Sequence, residues 1–285
     1  MPDPFDALRT PVTPSQPDPM FAARLRARVE RALSVPKGAS MSDLIHEAAA
    51  TERARQGDLA YVSLWVPDLS RAATFFSTVL GWSYGPGSTE QGRQVEGSTP
   101  QHGMWGAQER PTLHLCYGVN DIRAAIERVR AAGGRADEPT EEPYGTVAMC
   151  EDDQGMTFSL YEWRGDAERG PENGRHEGDL SYVTMEVPDS AKARSFYGDV
   201  LGWRFSPARV EDGWSIDGVV PLMGMAGGRR PATVVPMYRV DHIDDAVGRV
   251  RAAGGTATDP QLQPYGISSE CTDDQETRFY LGQLP

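Results

Sequence analysis

The sequence predicts an α+β fold in two tandem domains, each built from two modules of one strand, one helix and about three further strands. Three observations support this fold. The segments 58–163 and 179–285 align at a constant shift of 121 positions. Within each copy, a strand pattern followed by a helix pattern occurs twice. Two copies are too few for a solenoid, so each copy should fold as a domain.

The duplication is clearest in the motif PYG-x4-C-x-DDQ, which occurs at 143–154 and again at 264–275. DLAYVSLWVPD also matches DLSYVTMEVPD, and FFSTVLGW matches FYGDVLGW. Pro, Gly and Asp favour tight turns. We therefore interpret PYG and DDQ as structural turns, the second of which precedes the last strand of each domain.

The first domain shows the predicted order of elements. Alternating apolar and polar residues in 61–66 predict a strand. Asp68 is typical of a helix N-cap, and Gly81 is expected to end that helix. The run TLHLCYGV at 112–119 predicts the first strand of the second module. A second helix and a closing strand, MTFSLYEW, follow.

Two segments lie outside the repeat. Residues 1–57 begin Pro-rich and then predict a helix that starts at Asp18-Pro19, since proline suits the first turn. Two interpretations stay open for this arm: packing on the acidic body, and a partner-binding or dimerising helix. Residues 164–178 are charged and Gly-rich, which is typical of a flexible linker.

The chain has 285 residues and a net charge of −13, which disfavours nucleic acid as a partner. No run approaches the roughly 20 apolar residues of a membrane helix. The start, MPDPFDALRT, lacks a signal-peptide pattern. We therefore expect a cytoplasmic protein without nucleic-acid or membrane partners, working as a monomer with an internal pseudo-dimer. The three cysteines include no CxxC motif, which argues against a disulfide framework and a cysteine zinc site.

A pattern shared by both copies resembles the vicinal oxygen chelate superfamily. It reads V-P-D-x6-F-[FY]-x3-L-G-W at 66–82 and at 187–203, with DDQ before a closing strand. That superfamily includes glyoxalase I, bleomycin-resistance proteins, fosfomycin-resistance enzymes and extradiol dioxygenases. The resemblance implies two βαβββ modules per domain, forming an open curled sheet around a cleft. It does not fix the reaction, because this fold hosts several reactions and also non-catalytic binders.

The resemblance also implies where a metal ion would be held. Metal-dependent members place His or Gln, His, and Glu on three strands of the sheet. The matching positions in this chain are Tyr61, His114 and Ser159, and in the second domain Tyr182, Val235 and Tyr280. A neutral tyrosine is a poor ligand, so we expect no cofactor. His114 and Glu186 stay as weak candidates for a divalent metal, because the sequence does not decide whether clefts form within one domain or across both.

Strand alternation predicts the lining of the clefts. The candidate ligand-binding residues are Tyr61, Ser63, Trp65, Trp105, His114, Ser159, Tyr182, Thr184, Glu186 and Tyr280. Aromatic walls with a few polar groups suit a small, flat molecule. The predicted function is metal-independent binding of a small aromatic or drug-like ligand, with no catalytic residue assigned. The alternatives are a divalent-metal-dependent lyase, isomerase or dioxygenase of the same superfamily, and a non-catalytic interaction module.

Equivalent positions of the two copies differ, so we expect the clefts to have diverged. Trp65 corresponds to Glu186, and His114 corresponds to Val235. Only one cleft is therefore expected to bind a polar or cationic group tightly. The histidines outside the candidate set, including His102, are scattered, and we expect surface roles for them.

Overall fold

The computed structural model describes residues 53–164 and 167–285. The helix expected to begin at Asp18 lies outside the described residues. The described chain folds into two nine-stranded sheets, each accompanied by two helices. No helix in this part of the chain is long and apolar enough to span a membrane.

The first sheet contains both modules of the first domain. Its elements are β1 (Leu59–Trp65), α1 (Leu69–Leu80), β2 (Tyr84–Pro86), β3 (Gly92–Val95), β4 (Gln101–Trp105), β5 (Thr112–Val119), α2 (Ile122–Ala131), β6 (Arg135–Ala136), β7 (Thr140–Glu142), β8 (Gly145–Glu151) and β9 (Thr157–Glu162). The strand order is β2-β3-β4-β1-β5-β9-β8-β6, with β7 on β8. β1 and β5 pair antiparallel in the middle, so the two modules meet within one sheet.

The second sheet repeats this arrangement. Its elements are β10 (Leu180–Glu186), α3 (Ser190–Leu201), β11 (Phe205–Pro207), β12 (Gly213–Ile216), β13 (Met223–Ala226), β14 (Thr233–Arg239), α4 (Ile243–Ala252), β15 (Thr256–Ala257), β16 (Gln261–Gln263), β17 (Gly266–Thr272) and β18 (Arg278–Gln283). The order is β11-β12-β13-β10-β14-β18-β17-β15, with β16 on β17. The matching orders confirm the predicted α+β fold of two tandem domains.

Local sequence explains where α1 begins and ends. The Asp68 carboxylate accepts hydrogen bonds from the backbone N–H groups of Ser70 and Arg71, at 2.9 and 3.0 Å. Gly81 adopts a left-handed φ of 71°, a conformation that favours glycine and stops the helix. Both predicted boundaries of this helix are confirmed.

One helix of each domain, α1 in the first and α3 in the second, packs against the sheet of the other domain. The ring of Phe76 in α1 lies 5.3 Å from that of Phe279 in β18. At the equivalent positions, the ring of Tyr197 in α3 lies 5.9 Å from that of Phe158 in β9. The buried apolar side chains therefore form one core that both domains share.

The DDQ turns also join the domains. The Gln154 amide exchanges two hydrogen bonds with the backbone of Asp189, at 3.0 and 2.8 Å, and so holds the start of α3. Gln275 does the same for Asp68 at the start of α1, again at 3.0 and 2.8 Å. The predicted turns are confirmed at β8–β9 and β17–β18, and each turn also fixes a helix of the opposite domain.

The linker that was expected to be flexible is anchored along its described part. Arg169 forms a buried ion pair with Asp58 at 2.9 Å. The backbone N–H groups of Arg175 and His176 donate to the Asp179 carboxylate at 2.8 and 2.9 Å. These contacts tie the connecting chain to the first strands of both domains.

His102, which was expected at the surface, is buried in the shared core. Its Nδ1–H donates to the Gly103 carbonyl at 2.9 Å, so its Nε2 accepts from the Tyr238 hydroxyl at 3.0 Å. Burial lowers the pKa of His102 to about 4, so the ring is neutral near pH 7. The surface expectation is wrong because alternation along β4 turns His102 towards the helices.

Candidate functional site

Alternation along β1 separates a core face from an opposite face. Val62 and Leu64 are fully buried in the core, whereas Tyr61, Ser63 and Trp65 lie on the other face of the sheet. The register of β4, β5 and β9 brings further candidates to that face. It carries Tyr61, Ser63, Trp65, Trp105, His114 and Ser159. We refer to this face of the first sheet as the first cleft, and to the equivalent face of the second sheet as the second cleft.

Trp65 and His114 form a parallel stack in the first cleft. Their ring centroids lie 4.4 Å apart and the ring planes differ by 2°. Trp105 is the neighbour of Trp65 across β4 and β1, and 38% of its surface is exposed. An exposed indole beside a stacked pair of rings offers flat apolar surface to a ligand.

His114 is the polar centre of the first cleft. Its Nε2 lies 2.9 Å from the Ser159 hydroxyl oxygen, and that hydroxyl donates to the Met149 sulfur at 3.1 Å. We assign the Ser159 proton to Met149, and with this assignment Nε2 of His114 carries a proton and donates it to Ser159. Burial lowers the pKa of His114 to about 4, which keeps the imidazole neutral. Its Nδ1 is buried and has no hydrogen-bond partner among the described residues.

Tyr61 and Cys116 supply no anionic group to the first cleft. Burial raises the pKa of the Tyr61 phenol to about 12. Burial likewise raises the pKa of the Cys116 thiol to about 12. Both groups are therefore protonated near pH 7 and are poor nucleophiles. The Tyr61 hydroxyl lies directly over Gly103, where any Cβ atom would overlap it, so β4 needs glycine at this point.

The second cleft has an ion pair at the position equivalent to the aromatic stack. Glu186 accepts two hydrogen bonds from Arg278, at 2.7 and 3.1 Å. Arg278 also donates to Glu270 at 3.3 Å. The remaining candidates on this face are Tyr182, Thr184 and Tyr280. The two clefts therefore differ in charge, as well as in aromatic content.

Each cleft is formed within one domain. His114 contacts Trp65 and Ser159 of the first sheet, whereas Glu186 pairs with Arg278 of the second sheet. β1 pairs with β5, and β10 pairs with β14, inside their own sheets. The arrangement in which His114 and Glu186 share a cleft across the domains is therefore not adopted.

The side chains at the implied metal positions do not fit a divalent ion. In the first cleft they are a protonated phenol, an imidazole that donates its Nε2–H to Ser159, and a hydroxyl. In the second cleft they are Tyr182, Val235 and Tyr280, and valine has no donor atom. Within residues 53–164 and 167–285, no three His, Cys, Asp or Glu side chains are grouped so that they could hold a metal ion. Zinc, manganese and iron need several such N, O or S donors.

Comparison with known proteins shows which domain type and which fold this chain resembles. The model of the glyoxalase-like domain matches residues 61–161. Solved structures share the fold over both domains. The Mn(II)-bound glyoxalase from Novosphingobium aromaticivorans has a TM-score of 0.63 at 17% identity, covering 80% of this chain and 82% of that chain. A catechol 2,3-dioxygenase has a TM-score of 0.60 at 14% identity, and the match covers 81% of this chain and 90% of that chain. The chain therefore has the fold of these two structures over both domains, and its residues 61–161 match the glyoxalase-like domain.

Two sequence relatives align with most of this chain. The anthracycline biosynthesis protein DauV of Streptomyces sp. (strain C5) is 25% identical over 262 residues, covering 80% of this chain and 94% of that protein. The putative glyoxylase CFP32 of Mycobacterium bovis is 25% identical over 223 residues, covering 70% of this chain and 84% of that protein. Both alignments are therefore longer than a single domain of this chain.

The sequence candidates omitted two residues that the structure places beside them. Met149 lies opposite Ser159 in the β8–β9 pair. Arg278 contacts Glu186 from β18. Alternation from Tyr280 could have indicated Arg278, two residues earlier on the same strand face. Met149 depends on the register between two strands, which a single sequence does not provide.

Proposed function

We propose that this protein binds a flat aromatic small molecule in the first cleft without a metal ion. The observation that carries the proposal is the parallel stack of Trp65 on His114 beside the exposed Trp105. A ligand ring on these indoles is held by dispersion and by removal of apolar surface from water. Aromatic pairs add about 0.5–1.5 kcal/mol beyond the burial of area. Two indoles therefore suit a fused-ring ligand better than a single ring.

The charge of the first cleft favours a neutral ligand. The residues named there carry two indoles, one phenol, two hydroxyls and a neutral imidazole. The second cleft instead holds the ion pair of Glu186 with Arg278. A neutral ring system enters the first cleft without the desolvation cost of a charge.

The similarity to an anthracycline biosynthesis protein supports this ligand class. Anthracyclines have a fused-ring aromatic scaffold, and the relative is similar to this chain over both domains. We propose a ligand of the same flat, fused-ring type here. The relative's name gives its pathway and not its step, so the support concerns ligand shape.

The rival function is a metal-dependent reaction like that of the structural neighbours. The Mn(II)-bound glyoxalase shares the fold, which favours this rival. The donor atoms of this chain weigh against it, because His114 is the one usual metal ligand among the six implied positions. Proton abstraction by His114 is also disfavoured, since a base with a pKa of about 4 is weak near pH 7. We therefore propose binding rather than catalysis.

A thermal-shift screen tests the proposal. Protein treated with EDTA is heated with fused-ring aromatics, in the presence and absence of Mn²⁺, Fe²⁺ or Zn²⁺. A ligand at a hundred times its Kd should stabilise the fold by about 2.7 kcal/mol, with or without the ion. A shift that appears only with a divalent ion would favour the metal-dependent rival.

Matched variants locate the ligand. Trp65→Ala should abolish the shift, because it removes the indole that stacks on His114. Glu186→Gln changes the equivalent position of the second cleft and should leave the shift in place. If Glu186→Gln abolishes the shift while Trp65→Ala retains it, the ligand binds in the second cleft and the assignment is wrong.

A further inference from the structure

We propose that the ligand of the first cleft carries a hydroxyl group that donates a hydrogen bond to Nδ1 of His114. This inference rests on the proposed function, because it concerns the same cleft. It adds the chemical class of the ligand, a hydroxylated fused-ring aromatic. It also assigns a specificity-determining atom to the protein.

The hydrogen bonds around His114 determine which of its two ring nitrogens has no partner. The Ser159 oxygen lies 3.1 Å from the Met149 sulfur, and we assign the hydroxyl proton to that sulfur. The 2.9 Å contact between Ser159 and Nε2 of His114 must then use the imidazole proton. A neutral imidazole has one N–H, so Nδ1 is an acceptor with a free lone pair.

The neighbouring hydroxyls do not satisfy this acceptor. Ser63 pairs with His114 in the sheet, but its hydroxyl forms no hydrogen bond with Nδ1 of His114. Nδ1 is buried and has no partner within the described residues. A buried acceptor without a partner keeps its desolvation penalty until a ligand supplies a donor.

The stacking geometry shows how one ligand can use both features. The lone pair of Nδ1 lies in the imidazole plane, and that plane is within 2° of the Trp65 indole plane. An indole has a larger face than an imidazole. A flat ligand bonded edge-on to Nδ1 therefore shares the plane of His114 and stacks on the same indole.

A site built around one hydrogen bond discriminates against analogues that cannot form it. When such an analogue binds, the acceptor atom of the protein stays buried without a hydrogen bond, which weakens binding of the analogue. We therefore expect a phenol to bind more tightly than its methyl ether, and we expect this difference in affinity to depend on His114.

Isothermal titration calorimetry with three naphthalene probes at pH 7 tests this inference. The probes are 2-naphthol, 2-methoxynaphthalene and 2-acetylnaphthalene, added to EDTA-treated protein. The naphthol should bind the wild type about tenfold or more tightly than the methyl ether does. In His114→Phe, which keeps a ring for Trp65 and removes the acceptor, the ratio should fall to about threefold or less.

A second substitution at the same position tests the inference in case His114→Phe does not fold. His114→Val introduces the residue that the second domain carries at the equivalent position of β14. It should lose the same discrimination. In both variants the readout is the ratio of the naphthol affinity to the ether affinity, and not the affinity for either probe alone.

Each other outcome has a definite meaning. If the naphthol and the ether bind the wild type equally and Trp65→Ala abolishes both, the inference is wrong and the proposed function stands. A stronger preference for the acetyl probe would show that Nδ1 carries the proton, and would overturn the inference. If no probe binds, the proposed function fails and the inference fails with it.

Discussion

At the scale of single residues, the duplication allows matched positions to be compared. Buried Asp152 accepts a hydrogen bond from the Tyr197 hydroxyl at 3.1 Å. Asp273 is its equivalent, and Phe76 occupies the position equivalent to Tyr197. Oδ2 of Asp273 has no hydrogen-bond partner in the described part of the chain. A buried carboxylate oxygen left in this way lowers the stability of the fold.

The substitutions Tyr197→Phe and Phe76→Tyr should change stability in opposite directions. Tyr197→Phe removes a hydrogen bond to a carboxylate and should lower the free energy of unfolding by about 1.5–3 kcal/mol. Phe76→Tyr offers Asp273 the missing donor and should raise it by about 1 kcal/mol. Urea unfolding at pH 7 measures both. A loss of stability in Phe76→Tyr would contradict the account of the Asp273 site.

The buried imidazole of His114 should make the fold less stable in acid. Its pKa falls from 6.5 to about 4 in the folded protein. Between these values the unfolded chain takes up a proton that the folded site excludes. Stability is therefore complete above pH 6.5 and is lost as the pH falls towards 4, by about 2 kcal/mol between pH 7 and pH 5.

His114→Phe isolates this contribution. The variant has no titrating group at the site, whereas every other buried group, including His102, is shared with the wild type. Urea unfolding measures the free energy of unfolding at pH 7 and at pH 5. The decrease between these two pH values should be smaller in the variant than in the wild type by about 2 kcal/mol. Equal losses in the two proteins would contradict the burial of an unprotonated His114.

At the scale of elements, the DDQ turns connect each sheet to a helix of the other domain. Gln154 holds the start of α3, and Gln275 holds the start of α1. Arg128 in α2 donates to the Val200 carbonyl near the end of α3, at 2.9 Å. Both ends of a helix are thus fixed by the opposite domain, which explains why the repeat keeps these polar residues in both copies.

Gln154→Ala should lower the free energy of unfolding by about 1–2 kcal/mol, because it removes two hydrogen bonds to the backbone. Gln275→Ala is the matched control, and its cost should be smaller because Gln275 and Asp68 are more exposed to water. Urea unfolding of both variants measures the difference. The account of these turns would be contradicted if neither variant lost stability.

Sequence patterns predicted the helices and strands well. They predicted less well which side chains contact each other between these elements. Asp68 and Gly81 marked α1, because capping is a local property of the backbone. Strand alternation separated Tyr61 and Trp65 from the core for the same reason. The stack of Trp65 on His114 and the contact of Gln154 with Asp189 depend on chain segments far apart in sequence. A single sequence without strand register does not contain that information.

At the scale of the whole molecule, the shared core makes the two domains one folding unit. Phe76 and Tyr197 each lie in a helix of one domain and pack on the sheet of the other. The buried ion pair of Arg169 with Asp58 ties the linker to the first strand. Neither sheet would cover its apolar face without the helices of its partner.

The chain should therefore unfold in a single cooperative transition. Differential scanning calorimetry of residues 53–285 should give one peak whose calorimetric and van't Hoff enthalpies agree. A separately expressed first domain, residues 58–163, should expose its apolar face and fail to fold as a monomer. Two resolved peaks in the full chain would contradict the shared core.

The central claim is that the first cleft binds a flat aromatic ligand without metal. Isothermal titration calorimetry of EDTA-treated protein with 2-naphthol tests it most directly. The account predicts one bound molecule per chain, with binding lost in Trp65→Ala and retained in Glu186→Gln. Binding that required added Mn²⁺ or Fe²⁺, or that survived in Trp65→Ala, would contradict it.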